Sequence, residues 1–570
     1  MTNPSQVQVP QNAATPGKKA STWMAEQIAN AGVSHVFFLE AILRDTLNEL
    51  RRMGVRTILP HTEKAAAYMA DGYARVAGKP GLCWAQSVGA ANLAAGLQDA
   101  WLARTPLIAI TGRKPVADQD RNPYQEIDHA KAFSAVTRHS GNVTRAEDLP
   151  RLLANAWRTA LAGVPRPVHL DVAGLMAEYL EPSLLDDANV PADLLKGITR
   201  PVQAAAAHQL ERAAAAIRGA RKVVIVAGSD ALAAGAGPAI LALASQLGAP
   251  VATTVGARAI IATTHPLAIG TVGSYGMAVT NRVVHEADLV LVVGAQLSDQ
   301  NTHAWRIPAA RQGLVQIDAD ATEAGRVYPN AVPVIGDPRL AVEALAPLLE
   351  NYRSDEGFAR QAELAMQAWR REVSAMQTSG ETPIRVERLC AEIGDVLPDD
   401  GILVADTGYS AIWSCTHIEY KARQTYLRAA GSLGWSFPAA LGAKCAAPDR
   451  KVVCFNGDGA FYYHMAEIET ALRYDLPITV VINNNSGFGQ DACNMVAKGM
   501  PIEQVRALAA FEPTDFAAIA RSFGANGVRV TEPGQLQGAL QDAMSATRLT
   551  VVDVATDFLC RAPDPWAPAS

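Results

Sequence analysis

The chain has 570 residues, 49% of them hydrophobic, with 50 Lys and Arg against 56 Asp and Glu and a formal net charge of −6. That length suits about three to four domains with large apolar cores, and the mixed, slightly acidic charge, without an extended basic run, argues against nucleic acid as a partner. No stretch approaches the ~18 uninterrupted apolar residues of a membrane span, and the seven cysteines, an odd number with no Cys-x-x-Cys pair, point to reduced thiols in a cytoplasmic protein.

The polar opening, residues 1–19, lacks the apolar core of a signal peptide and is expected to be a disordered tail. Residues 20–182 then alternate helical stretches with short strands such as Val36-Phe37-Phe38, Leu107-Ile108-Ala109-Ile110 and Val168-His169-Leu170-Asp171-Val172, as a first α/β domain would. Within them, His61-Thr62-Glu63 precedes an alanine-rich stretch that runs into Asp71-Gly72-Tyr73-Ala74-Arg75. On residue type alone, Glu63 reads as a first-turn acid favoured by the helix dipole. Ser87-Val88-Gly89-Ala90-Ala91-Asn92 and Tyr124-Gln125-Glu126-Ile127-Asp128 follow, with Arg138-His139 beyond, and Gln125 by itself reads as a loop residue. A linker rich in Pro, Asp and Leu reaches about residue 200.

Residues 200–355 carry Lys222-Val223-Val224-Ile225-Val226-Ala227-Gly228 and Asp288-Leu289-Val290-Leu291-Val292-Val293-Gly294, with Gln316-Ile317-Asp318 further on. Strands that end in Gly between Ala-rich helices predict a doubly wound sheet in a central domain. Gly228, Gly273, Gly276, Asp318 and Asp320 leave a nucleotide open there, although the glycines also read as turns. After a charged helical connector near 355–380, residues 380–560 repeat the pattern. Asp458 follows Val452-Val453-Cys454-Phe455, and Asn485 follows Ile478-Thr479-Val480-Val481-Ile482; both runs read as buried parallel strands with a helix between them. Neighbouring parallel strands end on one sheet edge, so the Asp458 carboxylate and the Asn485 amide carbonyl can converge there. Such hard oxygens suit Mg2+ completed by phosphate. The glycines of Gly457-Asp458-Gly459 let backbone approach a diphosphate, although the triplet alone is also an ordinary turn.

Asp458-Gly459 through Asn485, together with the Glu63 segment, resembles the signature of thiamine diphosphate enzymes of the acetolactate synthase and pyruvate decarboxylase superfamily, and the pattern is similar to acetolactate synthase large subunits over nearly the whole chain. The resemblance implies three doubly wound α/β domains: pyrimidine-binding, central, and diphosphate- and Mg-binding. It implies thiamine diphosphate and Mg2+, with Asp458, the Asn485 side chain and the Gly487 carbonyl as metal ligands and Gly457, Gly459 and Ala460 beside the diphosphate. Glu63 would hydrogen-bond the aminopyrimidine so that thiazolium C2 can lose its proton. Gly408, Tyr409 and Ser410 would meet the diphosphate, where synthases carry Gln-His in place of Tyr409-Ser410. Gly431 would lead to Leu433, an apolar wedge where many synthases have Met. Gln125 lies in a stretch like the synthase Phe-Gln-Glu and would donate to the reacting carbonyl or carboxylate. Asp491 takes the place of a decarboxylase glutamate and would project over C2; stabilisation by a helix dipole is the alternative for that residue.

Departures limit what transfers. Phe38-Leu39-Glu40-Ala41-Ile42 stands where synthases have a glycine-rich loop, and Gln490-Asp491-Ala492-Cys493 replaces their substrate-facing Met-Val and Gln-Trp. Leu297-Ser298-Asp299-Gln300 lacks the Arg of the synthase flavin stretch, so FAD is disfavoured. The expected activity is acetolactate synthase-like carboligation on a 2-oxo acid or α-dicarbonyl substrate. A 2-oxo acid decarboxylase, an α-diketone hydrolase or an acyl-CoA lyase are the alternatives on this scaffold, with a non-catalytic homologue last. In this family the ring and the diphosphate are held by domains of different subunits, so a homodimer is the minimum and a homotetramer the expected assembly.

Overall fold

The computed structural model describes residues 17–568, apart from positions 41, 175–176, 178–179, 187–190 and 192. Three six-stranded parallel sheets succeed one another along the chain. The first holds β1 (His35–Phe38), β2 (Arg56–Ile58), β3 (Gly81–Gln86), β4 (Leu107–Arg113), β5 (Ser140–Val143) and β6 (Val168–Ala173), in the order β2-β1-β3-β4-β6-β5. The second holds β7 (Val223–Ala227), β8 (Val251–Thr253), β9 (Ala268–Thr271), β10 (Leu289–Val293), β11 (Gly313–Asp318) and β12 (Val332–Ile335), in the order β9-β8-β7-β10-β11-β12. The third holds β13 (Ile402–Ala405), β14 (Thr425–Arg428), β15 (Val452–Gly457), β16 (Thr479–Asn484), β17 (Asn526–Val530) and β18 (Thr550–Ala555), in the order β14-β13-β15-β16-β18-β17. The first and third sheets share one strand order, and the middle one differs.

The doubly wound expectation holds for a simple reason. Strands such as Leu289–Val293 and Val452–Phe455 are buried along their whole length, which suits unbroken apolar runs covered by helices on both faces. In each sheet the order reverses once near the first strand, between β1 and β3, β7 and β10, and β13 and β15. A crevice opens there at the carboxyl ends of the strands.

Of the expected tail, residues 1–16 lie outside the described residues. Lys18–Lys19 instead belongs to the fold, because it forms an antiparallel ladder with Leu184–Leu185, and Lys18 donates to Glu26 at 2.7 Å. The charged connector is the helix Glu356–Gln377, whose first turn is capped by the Asp355 carboxylate accepting from the amides of Gly357 and Phe358. No helix among the described residues is long and apolar enough to cross a membrane. All seven cysteines are unpaired, six of them buried.

The outer two domains meet through α1 (Glu63–Ala77) and a helix of the third domain, Ser436–Ala446. Thr62 starts α1 by accepting the Ala65 amide at 3.0 Å. The two helices lie so close that a Cβ on Gly72 would stand 2.0 Å from the Ala439 carbonyl oxygen, and one on Gly442 would stand 1.9 Å from that of Met69. Glycine is needed at this crossing, and the Ala-rich composition of α1 follows from the same closeness.

Candidate active site

β15 and β16 pair directly, with Gly457 opposite Asn483, so the two motifs end side by side. The Asp458 side chain reaches across the edge: one carboxylate oxygen accepts the Gly459 amide at 2.7 Å and the other the Gly487 amide at 2.9 Å. Burial pushes its pKa up to about 7 against these amide hydrogen bonds. A carboxylate in that condition is poised for a cation. The Asp458 carboxylate, the Asn485 amide oxygen and the Gly487 carbonyl of the adjoining loop are hard donors of the type that Mg2+ takes, so their chemistry fits the metal.

Facing them across the β13–β15 crevice is the segment after β13. Gly408 (φ 66°) turns the chain into the helix Tyr409–His417. Ser410 is buried, and its hydroxyl oxygen would lie 4.0 Å from a Cβ on Gly457. The Tyr409 phenol is held well above its usual pKa, first by burial and then by the Cys493 thiol. Asp406, in the same loop, accepts the amides of Thr407 and Gly434 at 3.0 Å and that of Ser436 at 2.9 Å. This buried carboxylate fastens the Leu433 turn to the Gly408 loop. From the first domain, Asp99 accepts the amides of Ala430 (2.9 Å), Gly431 (3.1 Å) and Ser432 (3.0 Å). The Gly431 amide is therefore spent on Asp99, and Leu433 is half-buried beyond it.

Glu63 opens α1 in a half-buried position. Its carboxylate accepts from Asn92 Nδ2 at 3.2 Å, and a Cβ on Gly89 would stand 2.5 Å from its Oε1. Gln125 lies in a loop with φ 63°, its amide donating to the Tyr124 hydroxyl at 3.3 Å. Asp491 is exposed in the first turn of the helix Gly489–Ala497, while its neighbour Gln490 faces Gly408, its Oε1 3.0 Å from where a Cβ would stand there. Helix phase thus sends Gln490 toward the Gly408 loop and Asp491 outward. Sequence reading gave Gln490 no role of its own and did not find Asp99 or the clamp made by Asp406. Nothing local in the sequence marks Asp406 as a carboxylate that accepts amides from a distant segment.

The central sheet has the same kind of crevice between β7 and β10, and it is filled. Arg104, from the loop after the helix Gly89–Leu102, enters it from the first domain with its side chain nearly fully buried. The guanidinium pairs closely with Asp230, lies 3.5 Å from Asp318 and 3.6 Å from Glu323, and meets the Gln296 amide oxygen at 3.0 Å in the orientation that satisfies both. A cavity of about 50 Å3 remains beside it. Gln300 accepts from Arg428 at 2.7 Å and so joins the central and third domains. Three carboxylates around a seated arginine do not fit a dinucleotide's diphosphate.

Family comparison matches three segments in order: residues 18–132 to the thiamine pyrophosphate enzyme N-terminal TPP binding domain, 210–345 to the central domain and 406–554 to the C-terminal TPP binding domain. Among curated proteins, the chain is 28% identical over 526 residues to the probable acetolactate synthase large subunit of Methanococcus aeolicus, covering 88% of this chain and 85% of that protein. It is 28% identical over 547 residues to the acetolactate synthase isozyme 2 large subunit of Escherichia coli, covering 94% and 95%. With the acetolactate synthase large subunit of Haemophilus influenzae the identity is 26% over 552 residues, covering 94% of each.

Proposed function

Since the chain belongs to the thiamine pyrophosphate enzymes, a family of carboligases and lyases, we propose that it joins or cleaves a C–C bond next to the carbonyl of a 2-oxo acid or related α-dicarbonyl compound, with Mg2+ and as a homodimer or homotetramer. The observation that carries this reading is the Asp458 carboxylate, buried at the β15–β16 edge and bonded to the Gly487 amide.

Thiamine diphosphate, when bound, supplies a nucleophilic carbon and an electron sink. The chain's own residues would do the rest. Asp458, Asn485 and Gly487 would hold Mg2+ against the diphosphate, while Gly457, Gly459, Ala460 and the Gly408-Tyr409-Ser410 turn close around it. Leu433 would supply an apolar prop, its turn fixed by Asp406 and Asp99. Glu63 would keep a proton shared with the aminopyrimidine nitrogen. Gln125 would donate to the substrate's carbonyl or carboxylate oxygen, and Asp491, at the exposed end of its helix, would meet the substrate side of the site. Arg104 and its carboxylates in the central crevice support a reading without FAD, and no flavin step is invoked.

Carboligation is the first choice, because the relatives named above are acetolactate synthases. The test is to incubate the protein, Mg2+ and cofactor with a panel of 2-oxo acids and diketones, with and without aldehyde acceptors, and to identify products by mass spectrometry. Ligated products support the proposal. Simple aldehydes from a 2-oxo acid would establish a decarboxylase, and one acid with one aldehyde from a diketone a hydrolase. No turnover across the panel, with cofactor bound, would sink the reading.

A further inference from the structure

A buried polar chain in the first domain leads to Glu63 and has no part in the scheme above. Its centre is His129, 2% exposed, the first residue of the short helix His129–Phe133 that follows the Gln125 loop. One ring nitrogen lies 2.9 Å from an oxygen of Asp171 on β6, and the other 3.0 Å from the Ser87 carbonyl oxygen. Thr111 on β4 donates to the same Asp171 oxygen at 3.0 Å and stands 2.7 Å from His169, whose other nitrogen is 2.7 Å from Ser140. Arg113 pairs with the second Asp171 oxygen at 3.0 Å.

His129, His169 and Asp171 bring ligand atoms within 4.8 Å of one another, as a metal site would. Every ring nitrogen among them already has a hydrogen-bond partner, and a low-dielectric network satisfied in this way is rigid. Burial also pulls the His169 pKa down to about 3, so that ring adds no charge. The cluster is a brace rather than a cation site.

What it braces is the turn that meets Glu63. Ser87 is held at φ 46°, a left-handed conformation costly for a residue with a Cβ. Its amide donates to Gly112 at 2.7 Å, and its carbonyl accepts both His129 and, at 3.0 Å, the Ala90 amide. Two residues on, Gly89 opens the helix whose first turn also carries Asn92, and these two are the groups against the Glu63 carboxylate. A side chain at position 89 would collide with that carboxylate, so the turn's position fixes where the carboxylate can lie.

We propose that His129 is a positioning residue for Glu63: by holding the Ser87 carbonyl to Asp171, it sets the helix turn that places the catalytic carboxylate, and it ties to the same point the loop bearing Gln125. The proposal rests on the reading of Glu63 as the group that activates the cofactor. A misplacement of about 1 Å in a catalytic group can cost on the order of 10²-fold. We therefore expect His129→Leu to slow C2–H/D exchange of bound thiamine diphosphate by roughly 10- to 100-fold, with cofactor affinity changed less than about threefold. His129→Gln keeps a donor for Ser87 and should recover part of the rate; it carries the test if the leucine variant does not fold.

The deciding measurement is a double-mutant cycle with Glu63→Gln. If His129 acts through Glu63, adding His129→Leu to Glu63→Gln slows exchange no further, whereas additive losses would overturn the proposal. Unchanged exchange in the folded, loaded His129 variants would overturn it while leaving the role of Glu63 standing. Unchanged exchange in Glu63→Gln itself would sink both. One equivalent of tightly held zinc per wild-type chain, lost in His129→Gln, would show that the cluster is a metal centre instead.

Discussion

Two crevices of the same kind, between β13 and β15 in the third domain and between β7 and β10 in the central one, have opposite contents. Both open where a parallel sheet reverses its order, and each has a carboxylate that burial lifts to about 7, Asp458 in one and Asp318 in the other. In the third domain that carboxylate faces backbone amides, with no positive side chain bonded to it among the described residues. In the central domain a buried arginine from the neighbouring domain has taken the cation's place. Topology makes a crevice; the sign of the charge that enters it decides between a ligand site and a fastening.

The sharpest way to break this contrast is to withhold the cation that the proposed reading puts in the first crevice. Dialysis against a chelator, or Asp458→Ala, should abolish turnover, and Mg2+ with cofactor should restore the dialysed protein but not the variant. Full activity in protein shown by elemental analysis to be free of divalent metal would end the claim that this crevice is built for one.

The matching experiment on the other crevice is Arg104→Met. Removing one partner from a buried ionic cluster leaves uncompensated charge and costs about 3–5 kcal/mol, so the denaturant midpoint should fall clearly while the circular dichroism spectrum stays native. Wild-type protein should carry no stoichiometric yellow chromophore and need no added FAD. Flavin at one equivalent per chain would show that the arginine leaves room after all.

How much of this contrast could be read from the residues alone depends on sequence distance. The strands were legible because runs such as Val452–Phe455 are unbroken and apolar, and the third-domain edge was legible because Asp458 and Asn485 close adjacent strands. Thr62 and the alanines after Glu63 likewise announce a capped helix. Arg104 was not legible: a lone arginine in a loop says nothing of carboxylates more than a hundred positions away. The same holds for Asp99, whose amide partners lie across a domain boundary at Ala430 to Ser432. Gln490 was hard to read for a different reason, since adjacent positions on a helix differ by about 100°, and only the placed helix shows that it is Gln490 that faces Gly408.

A subtler separation of the crevices uses pH. Both Asp458 and Asp318 have folded pKa values raised above the usual ~3.9, so each favours the metal-free fold fully below about pH 4, and that contribution is lost as pH rises through about 7. Mg2+ with cofactor needs Asp458 ionised but touches Asp318 in neither state. The rise in melting temperature on adding both should therefore be larger at pH 8 than at pH 5.5, with the Asp318 contribution cancelling in the difference. A larger rise at pH 5.5 would mean that a group other than Asp458 receives the metal.

The smallest effect is expected at Asp491, on the rim of the open crevice. Its carboxylate is exposed in the first turn of its helix, while Gln490 beside it faces Gly408. General acid–base groups at the reacting centre are worth about 10²–10⁴ in rate, and a side chain held this loosely should deliver less. Asp491→Asn should lower turnover by less than about tenfold and shift the ratio of protonated to ligated product, with cofactor affinity unchanged. Gln490→Ala should do the reverse, weakening cofactor binding and leaving the product ratio alone. Wild-type turnover and product ratio in Asp491→Asn would remove that residue from the chemistry. A loss of cofactor affinity in it would mean that the two neighbours have exchanged roles and that the helix rotates when the site is filled.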